Sequence, residues 1–230
     1  MTDSRRYTIL TAIPLAGILC ATAGAVDVIA YILFGKIFIA NMTGNTVLFA
    51  ASVVLRDWTQ AALRIGVVLA FLAGIFIAHA VLRKMTSARE RPRELITLAI
   101  EFAVLSWLAL TPHPDTLRTV LLIVLAVAMG MQNNAFRQIG PVKLSTVYVG
   151  ADLEKLGEAI GDSEEPGKRA EARLRAAVFF ATWIAYAVGA LMGAEGALHF
   201  HEKALLIPDG LVILAAVMVL RSAPHYKEGR

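Results

Sequence analysis

The residues of this chain that could do chemistry stand where polar groups are rare. Asp27 lies well inside an apolar run that starts at Tyr7 and continues almost unbroken past Phe34. A carboxylate at that depth is protonated, paired or facing water. Asn41-Met-Thr-Gly-Asn45 combines a helix-weakening glycine with Asn and Thr side chains that cap helices well. A helix that begins inside a membrane at such a motif offers free N–H groups and a positive dipole end to an anion or polar solute. Gln132, Asn133 and Asn134 form a polar triplet at the end of another apolar run, and Gly150 and Asp152 mark a second glycine-broken polar stretch. We therefore take Asp27, Asn41, Thr43, Gly44, Asn45, Gln132, Asn133, Asn134, Gly150 and Asp152 as candidate solute-binding or pore-lining residues, with Asp27 as a proton or cation site.

Each motif also has a packing explanation. Gly and Thr let helices cross closely, and Asn can bond across them. Asp27 and the 132–134 triplet can equally serve as helix-end groups. Glu101 and Asp209 are expected to be interfacial or in structural ion pairs, with Arg118 or Lys203 as partners, and Pro208 before Asp209 predicts a kinked helix. Gly74-Ile-Phe-Ile-Ala78 and Gly189-Ala-Leu-Met-Gly193 are small-xxx-small faces, for packing within the chain or in a homo-oligomer. His79, His199 and His201 make no convincing metal set. Cys20 is the only cysteine, so no internal disulfide forms. No phosphate-binding glycine loop, zinc-protease signature or nucleophile elbow occurs. The expectation is a protein without enzymatic activity, metal or cofactor.

The elements that position these residues follow from hydropathy. Of 230 residues, 57% are hydrophobic and 17% charged, against nearer half and a quarter in soluble domains. The excess sits in runs long enough to cross a bilayer core of about 30 Å. Six segments are strongly apolar (9–33, 62–82, 95–111, 117–135, 174–194 and 204–221), and two are shorter or more polar (37–55 and 144–160). The first run is too long for a signal-peptide core, so it is read as a retained membrane helix.

An internal repeat is visible. Gly24-Ala-Val-Asp27 corresponds to Gly130-Met-Gln-Asn133, and Gly44 to Gly150, both at an offset of 106 residues. The halves run from about 9 to 111 and from 117 to 221, within one membrane domain covering 1–230. Lys and Arg concentrate on the cytoplasmic side. Eight spans place 13 basic residues inside and 9 outside. Six spans, with both polar segments re-entrant, place 17 inside and 5 outside, which fits better. The fold expected is all-α: a polytopic helical membrane protein with about six spanning helices, two polar broken segments and a two-fold, inverted repeat. Both termini are then cytoplasmic. Inverted repeats are a transporter and channel architecture with the site where the halves meet. A secondary transporter or channel for a small polar or ionic solute leads, and a non-transporting scaffold or sensor subunit is the alternative. Membrane lipid and an unidentified solute or ion are the partners. The net charge of +4 is explained by loop topology rather than by nucleic acid.

Gly24-x-x-Asp27, Phe38-Ile-Ala-Asn-Met-Thr-Gly-Asn-Thr46 and Met129-Gly-Met-Gln-Asn-Asn-Ala135, in that order, resemble the YoaK-like family of bacterial membrane proteins. The resemblance covers nearly the whole chain. It implies a small multi-pass protein of the bacterial cytoplasmic membrane with about six spans, and supplies no substrate or catalytic residue. Relatives usually carry Thr-Gly in the second polar segment. This chain has Val149-Gly150 followed by Asp152, which implies a less symmetric site.

Overall fold

In the computed structural model, the described residues are 3–82, 84, 91–112, 114–139, 142–143, 150–162 and 169–221. The helices are α1 (Asp3–Leu33), α2 (Met42–Val54), α3 (Trp58–Phe76), α4 (Arg91–Leu110), α5 (Asp115–Ala135), α6 (Gly150–Asp162), α7 (Arg169–Phe200) and α8 (Leu206–Arg221). A π-helical turn, Ile77–Leu82, extends α3, and a 3-10 turn, His201–Leu205, joins α7 to α8. Beyond helices, the described residues hold one two-residue antiparallel ladder, Gln138–Ile139 on Val142–Lys143.

Four stretches are long and apolar enough to cross a membrane: Ile13–Leu33, Trp58–Ala80, Asp115–Ala135 and Ala172–Arg221, the last holding α7 and α8. Their outward faces are apolar too. Leu69, Phe76, Val120, Phe180, Leu191 and Leu220 are each more than half exposed. A water-facing surface does not carry so continuous an apolar belt, whereas lipid covers it at no cost.

Glycines set the two closest crossings. A Cβ on Gly24 would collide with the Tyr186 carbonyl, and one on Gly189 with the Ala21 carbonyl. Gly17 meets Ala185 and Gly193 meets Ala25, so residue numbers rise together and α1 runs parallel to α7. A Cβ on Gly74 would strike the Val127 carbonyl, and one on Gly130 the Phe71 carbonyl, which locks α3 parallel to α5. The small-residue faces at Gly74 and at Gly189/Gly193 are thus occupied within the chain, and Ala78 is buried against Met131.

The ends fix the remaining directions. The Arg118 guanidinium, at the start of α5, stacks over the Phe34 ring at 5.8 Å, just past the end of α1. It also pairs with Glu202 at 2.7 Å, just past the end of α7. So α5 begins on the side where α1 and α7 finish. Gly35 and Lys36, both with positive φ, turn the chain back after α1. Residues 34–41 then descend beside α1, and α2 climbs again to the turn before α3. That segment's two ends thus lie near the same end of α1. The helix predicted over 37–55 is shorter than expected because its first part is this irregular descent.

Two further expectations change. Pro208 lies in the first turn of α8, where its missing N–H costs nothing, so it starts the helix rather than kinking it. The helix predicted over 144–160 is found as Gly150–Asp162, and residues 144–149, including Tyr148 and Val149, lie outside the described residues. It packs on α7, with Lys155 over the Phe179 ring at 5.6 Å.

Candidate functional site

Asp27 is almost wholly buried, and its carboxylate is saturated with donors. One oxygen accepts the backbone N–H groups of Ile39 at 2.7 Å, Ala40 at 2.6 Å and, more weakly, Asn41 at 3.4 Å. The other accepts the Tyr186 hydroxyl of α7 at 2.8 Å. The N–H groups of the stretch leading into α2 are therefore met by the chain's own carboxylate. Irregular backbone inside a membrane must find such partners.

The Asn41–Asn45 motif finishes the same loop. Asn41 caps α2, its side-chain oxygen accepting from the Gly44 N–H at 3.1 Å and from the Thr43 hydroxyl at 2.9 Å. Asn45, fully buried, pairs with the Phe38 backbone in both directions: its oxygen accepts from the Phe38 N–H at 2.9 Å, and its amide donates to the Phe38 carbonyl at 2.6 Å. Gly44 lies against the Phe38 ring, which a Cβ would hit at 2.8 Å. Thr43 is exposed. Asp27, Asn41, Thr43, Gly44 and Asn45 thus come together in one hydrogen-bonded unit around the descent.

A second polar locus lies between α4 and α5. Glu101 and Gln132 are both fully buried. With its amide nitrogen turned toward α4, Gln132 donates to both Glu101 oxygens, at 2.8 and 2.7 Å. Asn133 and Asn134 follow it, half-buried. Gly150 opens α6 and is exposed, and the Asp152 side chain lies outside the described residues.

The expected ion pairs do not form. Arg118 is taken by Glu202 and, at 3.3 Å, by Asp115. Asp209 instead accepts the Ser106 hydroxyl at 2.6 Å, joining α8 to α4, and its other oxygen has no partner. Glu101 is neither interfacial nor ion-paired. It sits halfway along α4 facing an amide. Among the described residues, no group of three or more His, Cys, Asp or Glu could hold a metal ion.

Residues 15–218 match the family described as "Protein of unknown function (DUF1275)". The chain belongs to that family. It is also 29% identical over 213 residues to the UPF0700 transmembrane protein YoaK of Bacillus subtilis (strain 168), covering 89% of this chain and 92% of the relative. No solved structure matches. This DUF1275 member is a transmembrane protein.

Two of its polar residues escaped sequence reading. Arg64, buried in the second turn of α3, donates to the Leu48 carbonyl at 3.0 Å and to the Ser52 hydroxyl, tying α3 to α2. Its signal was an arginine inside an otherwise apolar run. Tyr186 is 159 residues from Asp27, and nothing local marks it as a carboxylate partner.

Proposed function

We propose that this protein is a secondary transporter or channel for a small polar or ionic solute, built from six spanning helices in two inverted halves. The observation that carries the reading is the exchange of helices. The first helix of each half crosses the third helix of the other, through Gly24 and Gly189 on one side and Gly130 and Gly74 on the other. Gly24 to Gly130 is the repeat offset of 106, and Phe71 and Gly74 sit 115 residues before Tyr186 and Gly189. Halves locked in this way, with irregular backbone between them, suit rocking about a central site. Buried ionisable groups (Asp27, Arg64, Glu101 and Asp209) at the helix contacts add support, since such residues inside a membrane mark ion or substrate paths.

The test is uptake by the full chain in proteoliposomes, across a panel of small inorganic anions, cations and zwitterions. Flux above protein-free vesicles is expected for one class. If Asp27→Asn and Asn45→Ala both leave that flux unchanged, the first polar segment is not part of the path. Labelling of single cysteines across residues 36–60 and 140–165, in a Cys20→Ala background, checks the topology. Each segment's two flanks should react from the same side, and the two segments from opposite sides.

One observation favours the scaffold reading. Asp27, Asn41 and Asn45 spend most of their hydrogen bonds on the loop's own backbone. On that reading the loop is an architectural device, and no member of the panel crosses.

A further inference from the structure

The two best-buried acids differ in how they are held, and Glu101 is the one left open. Among the described residues, no Lys, Arg or His pairs with it, and no backbone N–H is bonded to it. Its whole partnership is one terminal atom of the Gln132 side chain, 2.8 and 2.7 Å from its two oxygens. A primary amide has two faces for such a partner. Its nitrogen donates, which suits a carboxylate. Its oxygen accepts, which suits a carboxylic acid O–H. Two oxygens at this distance without a proton between them repel. A half-turn of the Gln132 amide therefore matches the pair to either protonation state while every heavy atom of Glu101 stays in place.

We infer that Glu101 and Gln132 form a proton-binding pair, in which Glu101 gains and loses a proton and the Gln132 amide turns to follow it. In the loaded state, the Glu101 O–H donates to the Gln132 oxygen. In the unloaded state, the Gln132 N–H donates to both Glu101 oxygens, and the proton has left to water. The ligand is a proton, and no other co-reactant is involved.

The surroundings suit this use. Glu101 is eight residues along α4 from Arg93, or about 12 Å. Arg93 donates to the Ala135 carbonyl at the end of α5. Between Glu101 and that end lie Thr97, buried one turn away, and on α5 the half-buried Asn133 and Asn134. These are polar steps toward water in an otherwise apolar contact.

The other charged groups on the elements packed around α4 are engaged elsewhere, distant along the axis or, like His79 in the π-helical turn beside Ile100, exposed. On α4 itself Glu94 stands near Arg93. On α5, Asp115 and Arg118 are at the opposite end. On α8, Asp209 is bonded to Ser106, five residues past Glu101, and Arg221 is at the far terminus. In the 3-10 turn, Glu202 pairs with Arg118, and His201 and Lys203 are exposed. None of them supplies a counter-charge. The pair stands whether or not a solute is moved. If the protein is a transporter as proposed above, the pair is its coupling site.

The experiment is infrared difference spectroscopy of the full chain in lipid vesicles between about pH 4 and pH 10. A carboxylic acid C=O band that titrates in this range is expected. Glu101→Gln should remove it, Gln132→Leu should shift its frequency, and Asp27→Asn and Asp209→Asn should leave it in place. A band unchanged by Glu101→Gln, or no titrating carboxyl band, overturns the proposal. Should Glu101→Gln fail to fold, a hydrophobic carbodiimide, which attacks protonated buried carboxyls, is applied to the unaltered protein. Adduct mapped to Glu101 and falling away with rising pH supports the pair. Adduct absent from Glu101 over the whole range overturns it. Neither readout depends on solute flux, so the transport reading survives or fails separately.

Discussion

Asp27 and Glu101 are both acids buried within a helix bundle, yet they are placed for opposite ends. Asp27 receives a tyrosine hydroxyl and three backbone N–H groups. Its three backbone donors belong to an irregular segment that must satisfy its own backbone. Glu101 receives one amide that can present either a donor or an acceptor. A saturated carboxylate holds its neighbours still, whereas a sparsely held one can change state at little structural cost. Burial alone thus does not separate an architectural acid from a working one. The number and kind of its donors does.

The contrast can be broken most directly at Asp27. Asp27→Ala leaves three N–H groups unsatisfied in a dry loop, and a loss of about 3–5 kcal/mol is expected from removing one side of such a buried cluster. Denaturation of the purified protein in mixed micelles reads this. A loss below about 1 kcal/mol would remove Asp27 from its structural role.

Ser106→Ala is next. It strips Asp209 of its one bonded donor, and a cost of about 1–3 kcal/mol is expected for a buried polar group left bare. The same unfolding measurement applies, and no change would mean that lipid headgroups or water already serve Asp209.

Asn41→Ala removes the cap of α2, at about 1 kcal/mol. It should also speed amide hydrogen exchange over residues 42–46 more than elsewhere. Uniform exchange across the chain would contradict a local cap. Tyr186→Phe costs about 1 kcal/mol by the same reasoning, because the backbone donors to Asp27 remain.

The smallest effect sharpens the comparison most. Glu101→Gln retains an amide pair with Gln132 and removes a buried acid, so stability should be unchanged or slightly raised. A loss as large as that of Asp27→Ala would make the two acids alike and erase the distinction drawn between them.

Much of this was legible without coordinates. The apolar runs declare the membrane helices, because an uninterrupted run of such residues has no water-facing solution. Asn41 declares its cap, since asparagine ahead of a glycine-bearing helix start is a local signal. Pro208 misled because proline breaks a helix interior but starts a helix equally well, and sequence alone does not say which position it holds. Charge alone offers Arg118 or Lys203 to Glu101 and Asp209, while geometry gives Arg118 to Glu202 and the Phe34 ring.

What the sequence determined by itself is residence in a membrane, an all-helical build, the family, and the residues worth watching. These follow from composition and local pattern, which need no knowledge of what packs on what. Only the tertiary structure decided the partners. The pairing of α1 with α7 and of α3 with α5 depends on glycines more than a hundred or some fifty residues apart. The saturation of Asp27 depends on a loop folding back and on Tyr186, and the openness of Glu101 on which face of α5 meets α4. Such contacts are set by the sum of packing over the whole chain, and no window of sequence carries that sum.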